Sequence, residues 1–226
     1  MTRLPQRVDE IRLSHRHRQS VRAHAARQLA ALEFPSDAIQ LARRWRAFLR
    51  LEDERLQIAA RLGADGRWLA AARTFALDVL VANAYQIAAD ALNNEQSHDC
   101  LADVCAVVAI GGYGRAELAP YSDLDLLFLH EERPHAHVRM LVERTLHILW
   151  DAGLTVGHKS QAVRACLASA RTDPHLQTAL VHTRLVAGSQ SLYDQLTKAR
   201  ERMRRKQATA LVRAARRARP SPLLPQ

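Results

Sequence analysis

The chain has 226 residues, of which 48% are hydrophobic and 25% charged, and a formal net charge of +10. That apolar content is enough for a buried core. No apolar run reaches the roughly eighteen residues of a membrane span, and no apolar stretch follows the charged N-terminus as a secretory leader requires.

The charge is unevenly placed. Nine basic residues lie between Arg200 and Arg219 against the single acid Glu201, so this stretch carries +8 of the +10. No aromatic residue interleaves with these arginines, so residues 200–226 read as a solvated, disordered basic tail and not as a nucleic-acid-binding arm. Cys100, Cys105 and Cys166 have neither CxxC spacing nor an even count. They read as reduced thiols, which suits a cytoplasmic protein.

From Val8 to Asn94 the sequence is rich in Ala, Leu and Arg, with breaks at 34–37 and 63–66. The pattern predicts three helices, the second capped by Ser36 or Asp37 and the third introduced by Asp65 or Gly66. Residues 1–95 therefore form a helical N-terminal segment. The run 104–110 is β-branched and apolar throughout, as expected of a strand buried on both faces, and a second strand follows at 124–129. A helix is expected after Pro134 with Gly153 as its stop, then a strand at 154–158. Helices are expected at 161–171 and 174–187, the second starting at Asp173-Pro174 and closed by Gly188. The order predicts an α+β fold, with a small mixed sheet flanked by helices over residues 96–199. Trp45, Trp68 and Trp150 lie in helical apolar patterns and are expected in the core.

The window from Ile110 to Leu129 carries the chemistry. Alternation along a strand puts Asp123 and Asp125 on one face, with Leu124 and Leu126 turned the other way. Adjacent carboxylates repel unless a cation lies between them. Mg²⁺ fits, because it accepts one or two carboxylates and completes its shell with water and substrate phosphate oxygens. Gly111, Gly112 and Gly114 let the backbone turn tightly and approach a triphosphate. Arg115 and Ser122 can bind phosphate oxygens, and Glu117 can hold the loop by pairing with Arg115. A glycine turn alone, or an Asp-x-Asp alone, is a common structural feature, but their junction at the ends of two apolar strands points to a metal-dependent nucleotidyltransferase site. A dinucleotide-binding fingerprint is not completed and no helix is expected at the glycines, and a Walker A motif lacks its Gly-Lys-Ser/Thr.

The string Gly-Gly-Tyr-Gly-Arg-x-Glu-Leu-x-Pro-x-Ser-Asp-x-Asp-Leu-Leu from Gly111 to Leu127 resembles the nucleotidyltransferase motif of bacterial PII uridylyltransferase/uridylyl-removing enzymes, of the polymerase-β-like superfamily. The similarity extends through 149–158, 178–180 and 184–188, and so covers roughly residues 100–200. It implies transfer of UMP from UTP, with Mg²⁺, to a tyrosine of the small signalling protein PII. It also implies metal binding by Asp123 and Asp125 and triphosphate binding by Gly111, Gly112 and Ser122. The sequence departs from the family pattern at Lys159-Ser160-Gln161, where Ser-Val-Arg ordinarily follows Gly-His. It has no third carboxylate on the strand 154–158, and the family's HD hydrolase and ACT sensor regions find no counterpart, as in a truncated form. Two further readings stay open: an impaired remnant that binds nucleotide, and a nucleotidyltransferase with another acceptor.

Overall fold

A computed structural model describes residues 13–29, 38–96, 103–132 and 136–217. The cap proposed at Ser36 or Asp37, Cys100 and Pro134 lie outside the described residues.

Three helices come first, α1 (His15–Leu29), α2 (Ala38–Arg61) and α3 (Gly66–Gln96). The break between α2 and α3 follows from Gly63, whose φ of +85° lets the chain leave the helix while its amide donates back to the Ala60 carbonyl. Asp65 then caps α3, its Oδ1 accepting from the amides of Arg67 and Trp68 at 2.9 and 3.1 Å. By length and composition α3 could cross a membrane, with a mean hydropathy of 1.3 in its most apolar window. Here that apolarity serves the protein core, where Leu80, Val81, Ala84, Ala88 and Leu92 are fully enclosed.

The remaining elements are β1 (Cys105–Ala109), α4 (Gly111–Gly114), β2 (Leu124–His130), α5 (Ala136–Asp151), β3 (Val156–Ala162), α6 (Val163–Thr172), α7 (Pro174–Ala179), β4 (Arg184–Gly188) and α8 (Gln190–Arg217). The strands form one four-stranded mixed sheet in the order β3-β2-β1-β4. β1 runs antiparallel to β2 and β4, and β2 runs parallel to β3. The fold is thus the α+β arrangement that the sequence predicts.

The central strand β1 is buried on both faces, which explains its uninterrupted apolar run. One face of the sheet presents Val107, Ala109, Leu124, Leu126 and Phe128 to α3 and α5, in a core that continues into α1 and α2. The other presents Ala106, Val108, Leu127 and Leu129 to α6, α7 and α8. The N-terminal helices and the sheet therefore share one hydrophobic core instead of standing as separate units.

Four expectations are corrected. The helix expected over 174–187 ends at Ala179, and Arg184–Gly188 forms β4 instead, because its residues complete the free edge of β1. Gly188 closes a strand rather than a helix; at φ +82° a Cβ there would lie 2.1 Å from the Cys105 carbonyl oxygen. No break occurs at residue 200: α8 continues to Arg217, because Arg, Ala, Lys, Gln and Leu are all good helix formers. Trp150 is 43% exposed, its ring edge-on to His147 and His158, whereas Trp45 is fully buried as expected.

Candidate active site

β1 delivers the chain to Ile110, whose extended backbone (φ −128°, ψ 171°) caps α4. Gly111 follows at φ +60°, a left-handed conformation that costs a side-chain-bearing residue. A single helical turn does therefore open at the glycines, held by the Gly114 amide donating to the Ile110 carbonyl at 2.9 Å. Its leading amides have no acceptor within so short a helix.

Gly114 has a different setting from the one expected. A Cβ there would lie 2.2 Å from the His182 carbonyl oxygen and 3.0 Å from that of Ala109, so this glycine is needed for close backbone packing. It does not line the cleft.

Asp125 and the preceding Asp123 stand at the start of β2, tied to β1 through the Ile110 amide, which donates to the Asp125 carbonyl at 3.1 Å. Both carboxylates line an open cleft of about 470 Å³ with Gly112, Tyr113, Arg115, Ser122 and the 117–121 loop. Burial, and after it the Asp123 charge, pushes the Asp125 carboxyl above the usual aspartate range. Like charges converging on a cleft suit a cation, and two carboxylates with open space for water and phosphate oxygens fit Mg²⁺. Among the described residues, no group of three or more His, Cys, Asp or Glu side chains converges as a metal cage.

Arg115 Nε donates to Glu117 Oε2 at 3.0 Å, the pairing foreseen from the sequence. The loop that follows carries two non-glycine residues in the left-handed region, Ala116 (φ 60°) and Tyr121 (φ 67°). Such conformations cost on the order of 1 kcal/mol or more each and collect at functional sites. Tyr121 is 98% exposed beside Ser122 and Asp123.

Three residues beneath this site were not assigned from sequence. Tyr113 is fully buried under the glycine turn, and Arg184 of β4 lies 5.3 Å from its ring centroid and donates to its carbonyl at 3.2 Å. Arg184 also grips Asp78 of α3 through both guanidinium nitrogens. Burial raises Asp78 above the ordinary carboxylate range despite this partner, and raises Tyr113 well above the ordinary phenol. Asp78 and Arg184 are 106 residues apart, so no spacing rule could have joined them.

The sheet thus sets two carboxylates beside a glycine turn at the cleft. Curated relatives of this chain are indeed uridylyltransferases by name. A bifunctional uridylyltransferase/uridylyl-removing enzyme of Cereibacter sphaeroides is 40% identical over 132 residues, which is 58% of this chain and 14% of the relative. Enzymes with the same name in Azospirillum brasilense and Rhodopseudomonas palustris are 44% identical over 94 residues and 46% over 90, about two fifths of this chain and 10% of each relative. The chain thus spans between a tenth and a seventh of the length of the relatives it matches. No family model matches it.

Proposed function

We propose that this chain is a Mg²⁺-dependent uridylyltransferase that moves UMP from UTP to a tyrosine hydroxyl of a PII-type signalling protein, in the cytoplasm, with release of pyrophosphate. The observation that carries this reading is the pair Asp123 and Asp125 at the head of β2, open to the cleft and adjoining the glycine turn of α4.

Asp123 and Asp125 would hold the metal, which when bound neutralises charge growing on the α-phosphate and the leaving pyrophosphate. Gly111 and Gly112 admit the triphosphate close to the backbone, with Ser122 and Arg115 offering hydrogen bonds to its oxygens. The acceptor hydroxyl attacks the α-phosphorus, the bond to the pyrophosphate oxygen breaks, and the hydroxyl proton leaves to solvent or to a carboxylate of the pair. Arg184 and Asp78 hold Tyr113, and through it the turn, in the orientation this requires.

A second reading, a remnant that binds nucleotide without transferring it, is favoured by the lack of a third converging carboxylate among the described residues. The two separate when the chain is incubated with UTP, Mg²⁺ and a PII protein. The transferase reading expects a PII mass increase of one uridylyl group together with calorimetric UTP binding; binding with unmodified PII would instead support the remnant.

A further inference from the structure

Asp125 on β2 and Gly157 on β3 are direct partners in the parallel ladder, so their side-chain positions face the same side of the sheet. A Cβ built on Gly157 would stand 2.9 Å from Asp125 Oδ1, closer than a real Cβ contact. On the opposite flank, a Cβ on Gly111 would stand 3.2 Å from Asp125 Oδ2. The carboxylate therefore lies between two glycines, one beside each oxygen, and a methyl on either side would displace it from this position.

We infer that Gly157 is a positioning residue for Asp125, its missing side chain keeping open the slot in which the carboxylate is held toward the cleft for a divalent cation. This rests on the metal-binding role given to Asp125 above. The two glycines differ in a way that makes the inference testable. Gly111 has φ +60°, so any side chain there strains the backbone as well as crowding the carboxylate. Gly157 lies in regular β-strand outside the left-handed region, where alanine is at least as well tolerated as glycine. Gly157→Ala thus alters the fit of Asp125 while leaving the strand its preferred conformation.

The test uses the full chain with Mn²⁺ and a non-hydrolysable UTP analogue, with free Mn²⁺ followed by electron paramagnetic resonance. Thermal denaturation and circular dichroism run alongside. Gly157→Ala is expected to weaken Mn²⁺ binding by about tenfold, as loss of a supporting contact to a ligand commonly does, with helicity and melting temperature close to those of the parent chain. In an Asp125→Asn background the same Gly157→Ala change is expected to have no further effect on Mn²⁺, because the ligand it positions is gone. Parent-like Mn²⁺ affinity in Gly157→Ala would overturn the inference while leaving the metal role of Asp125 intact. Equal, additive losses in both backgrounds would also overturn it. Failure of the parent chain to take Mn²⁺ would overturn the metal reading itself, and this inference with it.

Discussion

Arg184 of β4 and Asp78 of α3 form a two-pronged ion pair, with nitrogen–oxygen distances of 2.6 and 3.0 Å. The same guanidinium reaches the carbonyl of Tyr113 inside the glycine turn. One side chain therefore ties the N-terminal helices, the last strand of the sheet and the floor of the cleft together. The pair is only partly solvent-exposed, at 31% and 21% of the two side chains, so its removal leaves a half-buried charge without its partner. Arg184→Ala is expected to destabilise the chain by about 2 kcal/mol, below the cost of breaking a fully buried pair because water screens part of the loss. Urea denaturation measures this. Arg184→Lys should recover only part of the loss, since an ammonium cannot reproduce the two-pronged contact.

Gly114 should be intolerant of any side chain. With a Cβ placed 2.2 Å from the His182 carbonyl, Gly114→Ala forces backbone to move and is expected to cost about 2 kcal/mol or more. Gly66 offers the contrast. A Cβ there meets nothing within 4 Å at the start of α3, so Gly66→Ala should be neutral or stabilising by up to about 1 kcal/mol. Equal melting temperatures for the two variants would contradict the packing described for the turn.

Acid pH should weaken the cap of α7. Asp173 accepts hydrogen bonds from the His175 and Leu176 amides and an ion pair from Lys159. The Leu176 amide, followed by Lys159, holds its carboxyl below the usual aspartate range. A carboxylate whose value is lower folded than unfolded stabilises above the unfolded value, and that contribution is lost as pH falls through the folded one. Asp173→Ala should therefore lower the melting temperature at pH 7, with the difference narrowing as pH falls below about 4. A difference that persists unchanged at pH 2 would show that the ionised cap is not its source.

Much of this architecture is legible in the sequence because its signals are local. The alternation around Asp123 and Asp125, the Gly63 stop, the Asp65 cap and the Asp173-Pro174 helix start each act within a few residues. What was missed depends on distant partners. Arg184 to Ala187 can be read as helix until β1 offers its open edge, and that edge makes it a strand. The packing role of Gly114 depends on His182, and the neighbourhood of Asp125 on a glycine 32 positions away in sequence but paired with it in the ladder. Gly157 falls in the similar stretch 149–158 with no role legible there, because only the register of β2 against β3 brings it to the carboxylate.

The most direct test of the central claim is the rate of UMP transfer to a PII protein by the chain and by its Asp123→Asn/Asp125→Asn double variant, with UTP and Mg²⁺ saturating. Asparagine keeps the shape of each side chain and removes the charge that would hold the metal, so circular dichroism should be unchanged. Transfer should fall by about a thousandfold or more, a loss of about 4 kcal/mol of transition-state stabilisation. Transfer at the parent rate by the double variant would contradict the assignment of Asp123 and Asp125 as the metal-holding pair.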